Sequence, residues 1–144
     1  MTYILSYIVC VFYGILFNLR GYVLFASALG GMVARLMLNS LDGYGYMISF
    51  FSASLAVAIY GEMMARISKV PVMIYTIIGI LPIIPGRGIY KAMATLYQGD
   101  FTSFTTYGLE TLEMVGAMVM GLMLTSSIVR MFKIRKLLKM FYLE

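Results

Sequence analysis

Arg87 and Lys91 are the residues of this chain best placed to do chemistry. They stand four apart, directly after Leu81-Pro82-Ile83-Ile84-Pro85-Gly86. A guanidinium grips a carboxylate through two parallel hydrogen bonds, and an ammonium one helical turn on adds a mobile charge. Gly86 and Gly88 flank Arg87 and let a ligand approach the main chain closely. Each proline inside a helix removes a backbone hydrogen bond and clashes with the preceding turn, at about 3 kcal/mol. Two prolines three apart, then a glycine, therefore stop or unwind a helix. The helix that starts after the break offers its free N–H groups and the positive end of its dipole to an anion. The group suits a small carboxylate, an amino acid or a short organic acid. The plainer alternative is an exit turn with interfacial cations.

Other chemistry is scarce. Glu110 and Glu113 precede a long apolar run on one helical face. A carboxylate inside a membrane is expensive and marks function, so Glu113, a turn deeper, is the candidate for proton coupling and Glu110 reads as interfacial. Arg35 either snorkels to the interface or faces a polar cavity. Glu62 and Arg66, four apart, read as an interfacial pair. Histidine is absent, which removes the commonest general base and metal ligand. Cys10 is the single cysteine and reads as a small packing residue. No metal site, cofactor site or catalytic triad is expected, and the chain does not read as an enzyme. Gly86-x-Gly88 is no phosphate loop, because no Gly-Lys-Ser/Thr follows.

The elements that must hold these residues are membrane helices. The chain is 62% hydrophobic and only 12% charged, where a soluble domain carries about 25% charged residues. Its 11 cations gather in short loops and the tail, not over a face, which argues against nucleic acid as a partner. Charge-free apolar runs predict an all-α membrane protein of about five transmembrane helices in one integral domain, residues 1–144. The spans fall at about 3–18, 22–38, 44–64, 71–85 and 107–130, with a basic tail at 131–144. The fourth helix is broken by Pro82, Pro85 and Gly86, and a short interfacial helix is expected over about 88–98. In a bilayer, irregular backbone persists only where protein covers it or it lines a watery cavity, so a broken span with cations at the break points to a transport site. Ala26, Gly30 and Ala34 repeat every four residues, a small-residue face that lets helices approach.

Orientation follows the lysines and arginines near span ends. Five spans put the termini on opposite sides. With the basic tail in the cytoplasm, Arg20, Arg66 and Lys69 also lie inside and the N-terminus lies outside. Arg87 and Lys91 then stand on the disfavoured side, beside the break.

Phe17-Asn18, Gly30-Gly31 with Arg35, and above all the run from Leu81 through Gly86-Arg87-Gly88-Ile89-Tyr90-Lys91-Ala92-Met93 resemble the threonine/serine exporter (ThrE-like) family, in its smaller C-terminal-type membrane module. The resemblance covers nearly the whole chain. It implies secondary transport: export of small amino acids such as threonine and serine, or of C4 dicarboxylates, across the bacterial inner membrane. It also implies a partner, a larger multi-span subunit, with this chain as the separate small subunit. Pro82, Pro85, Gly86, Tyr90 and Arg87 carry over as substrate-contacting positions, and Lys91 joins them on the residue reading. Glu110 and Glu113 lie outside the family pattern. The competing class is a non-transporting membrane subunit for assembly or anchoring. Self-association stays open.

Overall fold

The computed structural model describes residues 2–141, with side chains described through residue 131. Most side chains of the expected basic tail lie outside the described residues. The described chain is helical throughout: α1 (Thr2–Leu16), α2 (Tyr22–Ser40), α3 (Tyr46–Ser68), α4 (Val72–Ile80), α5 (Gly86–Tyr97) and α6 (Phe101–Phe141). Short 3₁₀ turns stand at Asp42–Tyr44 and Leu81–Ile83.

The turns follow from local chemistry. Asn18 takes a left-handed φ of 58° after α1, and the Leu19 N–H donates back to the Gly14 carbonyl at 2.9 Å. Gly99 closes α5 in the same way, with Asp100 N–H donating to the Thr95 carbonyl at 3.0 Å. Both are left-handed helix caps that satisfy last-turn carbonyls. Asp100 then caps the start of α6, its Oδ1 accepting the Ser103 N–H at 3.1 Å. The stretch from Thr102 to Thr106, polar in composition, is thereby helical and belongs to α6, which begins at Phe101.

Packing runs through small residues. Ala26, Ser27, Ala28, Gly30, Gly31 and Ala34 of α2 are all buried. A methyl added at Gly30 would sit 3.5 Å from the Cα of Gly79 in α4, so the backbones nearly touch. The predicted small-residue face therefore packs within this chain. Tyr60 of α3 donates to the Ala26 carbonyl at 2.6 Å. Meanwhile Phe12, Leu16, Met73, Leu112 and Met123 are exposed. Lipid is as apolar as leucine, so large aliphatic side chains gain nothing by turning inward, and close backbone approach decides the core. The exterior is that of a membrane protein.

Contacts fix the directions. Ala26, Ala65 and Tyr75 cluster at one end, and Ala34, Phe50, Ala53 and Ile83 cluster further along. Helices α2 and α4 thus run parallel in direct contact, with α3 packed antiparallel against both. Helix α6 lies along α3 and α5, and α4 lies along α2 and α3, so α4 and α6 stand apart.

Three described helices are long and apolar enough to cross a bilayer alone: α2, α3 and α6. The α4–α5 pair passes the same test jointly, bent by 51°. At 1.5 Å per residue, Val72–Ile83 covers ~18 Å and α5 a further ~18 Å, so neither half reaches across a ~30 Å core. The prolines stand at the bend between the two helices. Helix α1, at 15 residues, is ~22 Å long and falls short of the same length criterion.

Candidate functional site

The interruption is built by two prolines and held by a cysteine. Helix α4 stops at Ile80, the 3₁₀ turn takes Leu81–Ile83, and α5 starts at Gly86. Pro82 has no N–H to give the carbonyl four residues back, which is that of Ile78. The Cys10 thiol, arriving from α1, donates to that carbonyl oxygen at 3.3 Å. Buried carbonyls in a membrane need a partner, and the thiol supplies it. Gly31 of α2 makes room: a methyl there would overlap the Cys10 sulfur and lie 3.0 Å from Pro82 Cγ. Cys10 is thus more than packing bulk. Sequence reading did not find this role, because its signal is a contact across 68 residues.

The predicted substrate-contacting residues divide into two groups. Pro82 is half-buried and Pro85 buried, inside the helix packing. Gly86, Arg87, Tyr90 and Lys91 are exposed on the outer face of α5, with Tyr90 at 74%. The opposite face of α5 is pressed on α6, where Gly88 stands so close to Thr111 that a methyl would overlap its Oγ1. Lys91 Nζ lies 5.3 Å from the ring centroid of Tyr107, a cation–π contact that ties the ammonium to α6. Arg87 and Lys91 therefore share a surface, and that surface is open.

The coupling candidates lie elsewhere. Arg35 is half-buried on α2, one turn beyond Gly31 and on the same helical face, so it stands near the level of the break. Glu113 is exposed and Glu110 half-buried. Within the chain, Glu110 is thus the more covered of the two. The reason is helical phase: Thr111 faces α5, Glu110 flanks that face, and Glu113 points away. Among the described residues the one salt bridge is Arg66–Glu62, at 3.8 Å, as their spacing predicts. Neither glutamate of α6 is joined to Arg35, Arg87 or Lys91.

Where α4 and α6 stand apart, a cleft of about 1300 Å³ opens, floored by α3. Glu62, Arg66, Ser126, Ser127 and Arg130 line it, with Pro71 and Val72 opposite. A smaller crevice of about 290 Å³ lies beside it, between α3 and α6. Neither contains a predicted site residue. Sequence reading placed Arg130 at the end of the fifth span, 107–130, and missed the cleft. The signal was two adjacent serines, Ser126 and Ser127, one turn before Arg130.

Long apolar helices and an apolar exterior define a multi-pass membrane protein. The family model described as "Threonine/Serine exporter, ThrE" matches residues 2–128, and the chain belongs to that family. Its role is accordingly transport of the threonine/serine exporter type. No curated protein and no solved structure matches the chain.

Proposed function

We propose that this chain is the small subunit of a two-component secondary transporter, exporting small amino acids such as threonine and serine, or C4 dicarboxylates, across a bacterial inner membrane. The observation that carries the reading is the proline bend between α4 and α5, with Arg87, Tyr90 and Lys91 on the open face of the helix that follows it. Cations with no covering structure suit a site completed by a second protein, the larger subunit. A substrate carboxylate is gripped by Arg87, steadied by Lys91, and approached by the main chain at Gly86, while Pro82 and Pro85 set the bend. Arg35 at the level of the break and Glu113 on the face away from α5 are the coupling candidates.

The chain forms a single membrane domain with five crossings: α1, α2, α3, the α4–α5 pair and α6. Helix α1 is short, and a short span is accommodated by local thinning of the bilayer and by flanking residues. The clustering of Ala26, Ala65 and Tyr75 supports grouping Arg20, Arg66 and Lys69 at one end. That end is cytoplasmic, with the N-terminus outside.

The test is efflux of labelled threonine, serine and succinate from cells carrying both subunits. Arg87→Ala and Pro85→Ala should each lower efflux at least tenfold while the two subunits still co-purify. Undiminished efflux in both variants refutes the site. A complex that assembles but never moves solute, whatever the variant, supports the assembly or anchor reading instead.

A further inference from the structure

The cleft between α3, α4 and α6 has its chemistry graded by depth. Along one face of α6 come Leu122 and Met123, then Ser126 and Ser127, then Arg130. Over these eight steps of ~1.5 Å the wall passes from apolar to hydroxyl to guanidinium. The facing wall, Val70 to Val72, is apolar.

Three of its polar groups, Ser126, Ser127 and Arg130, are unengaged among the described residues. Most helical serines and threonines here bond back to their own helix, as Thr125 does to the Gly121 carbonyl at 3.2 Å. Ser126 and Ser127 have no hydrogen-bond partner among the described residues. Glu62 is answered by Arg66. Arg130 has no carboxylate partner among the described residues, which leaves one uncompensated cation at the mouth. A free amino acid would use the polar mouth and leave the apolar depth unfilled. An amphiphile uses both.

We propose that this cleft holds an anionic phospholipid. Its phosphate sits at Arg130, its ester region at Ser126 and Ser127, and an acyl chain lies along Leu122 and Met123. Basic pockets between helices at the cytoplasmic face are the usual seats of such headgroups, because that leaflet presents the negative charge. The site is separate from Arg87 and Lys91 and does not depend on what the chain transports.

Lipid retention by the detergent-purified chain, followed by native mass spectrometry, tests the proposal. Phosphatidylglycerol should be retained over phosphatidylcholine. Arg130→Gln should lower that preference about fivefold, the weight of one cation at a membrane surface. Arg20→Gln, a cation grouped at the same end but outside the cleft, should leave it unchanged. Equal retention of the two lipids, or equal loss in both variants, overturns the proposal. Displacement of the lipid by millimolar inorganic phosphate means a free-anion site and also overturns it. Independently, a photoreactive residue in place of Ser127 should give a lipid-sized adduct in native membranes. An adduct to protein, whether a second copy or a larger subunit, identifies a different occupant and refutes the lipid.

Discussion

The contact among Gly31, Cys10 and Pro82 predicts a specific non-additivity. In Gly31→Ala the new methyl overlaps the Cys10 sulfur and lies 3.0 Å from Pro82 Cγ. Forcing one methyl group into a packed core costs about 1–3 kcal/mol. Cys10→Ala has its own cost. It removes the bond to the Ile78 carbonyl, about 0.6 kcal/mol for an average hydrogen bond in a membrane protein, and opens a methyl-sized void at about 1 kcal/mol. The two losses should not sum. Without the sulfur, the methyl at residue 31 meets the Cys10 Cβ at 3.4 Å, an ordinary contact, and only the Pro82 ring must yield. The void left by one change accepts the methyl brought by the other. The double variant should therefore be about 1–2 kcal/mol more stable than the sum predicts, well above the 0.3–0.5 kcal/mol scatter of independent sites. Reversible unfolding in mixed micelles, titrated with dodecyl sulfate and read by circular dichroism, measures all four corners of the cycle. Additive losses would refute the argument that Cys10 and Gly31 jointly hold the interruption.

Two further outcomes follow from the same packing. Gly121→Ala should destabilise the chain by more than about 2 kcal/mol in that assay, since its methyl meets the Phe51 carbonyl at 2.7 Å as well as the Ser54 hydroxyl, and backbone cannot turn aside like a rotamer; an unchanged midpoint would dismiss the close α3–α6 approach. Asp100, fully exposed at the start of α6, has its carboxyl held below the ordinary value of 3.8 by the Ser103 hydroxyl and N–H. A depressed carboxyl stabilises above its unfolded value and loses that contribution as pH falls through the folded one, so Asp100→Ala should narrow the stability difference between pH 7 and pH 3, and an identical pH dependence in both proteins would contradict the cap.

The helical class, the membrane setting and the interruption were legible in the residues, because each rests on a local property. Charge-free runs of span length have few alternatives in a bilayer, and a proline lacks its N–H wherever it stands. The Glu62–Arg66 pair was legible for the same reason, four residues on one helix. What sequence left open were matters of phase and register. Whether Pro82 ends a span or bends one depends on how far α5 continues the crossing. Whether Glu110 or Glu113 is the more covered depends on which face of α6 meets α5.

The sequence by itself determined which groups exist to do chemistry: two cations after a double-proline break, a few carboxylates, one thiol, no imidazole. Only the tertiary structure decided how those groups meet. It joined Cys10 to the carbonyl that Pro82 releases, left Arg87 and Lys91 on an open face, and parted α4 from α6 to make a graded cleft. Hydropathy and spacing describe one helix at a time. In lipid no hydrophobic gradient sorts one helix face from another, so the meeting of helices is settled by the fit of small residues against each other.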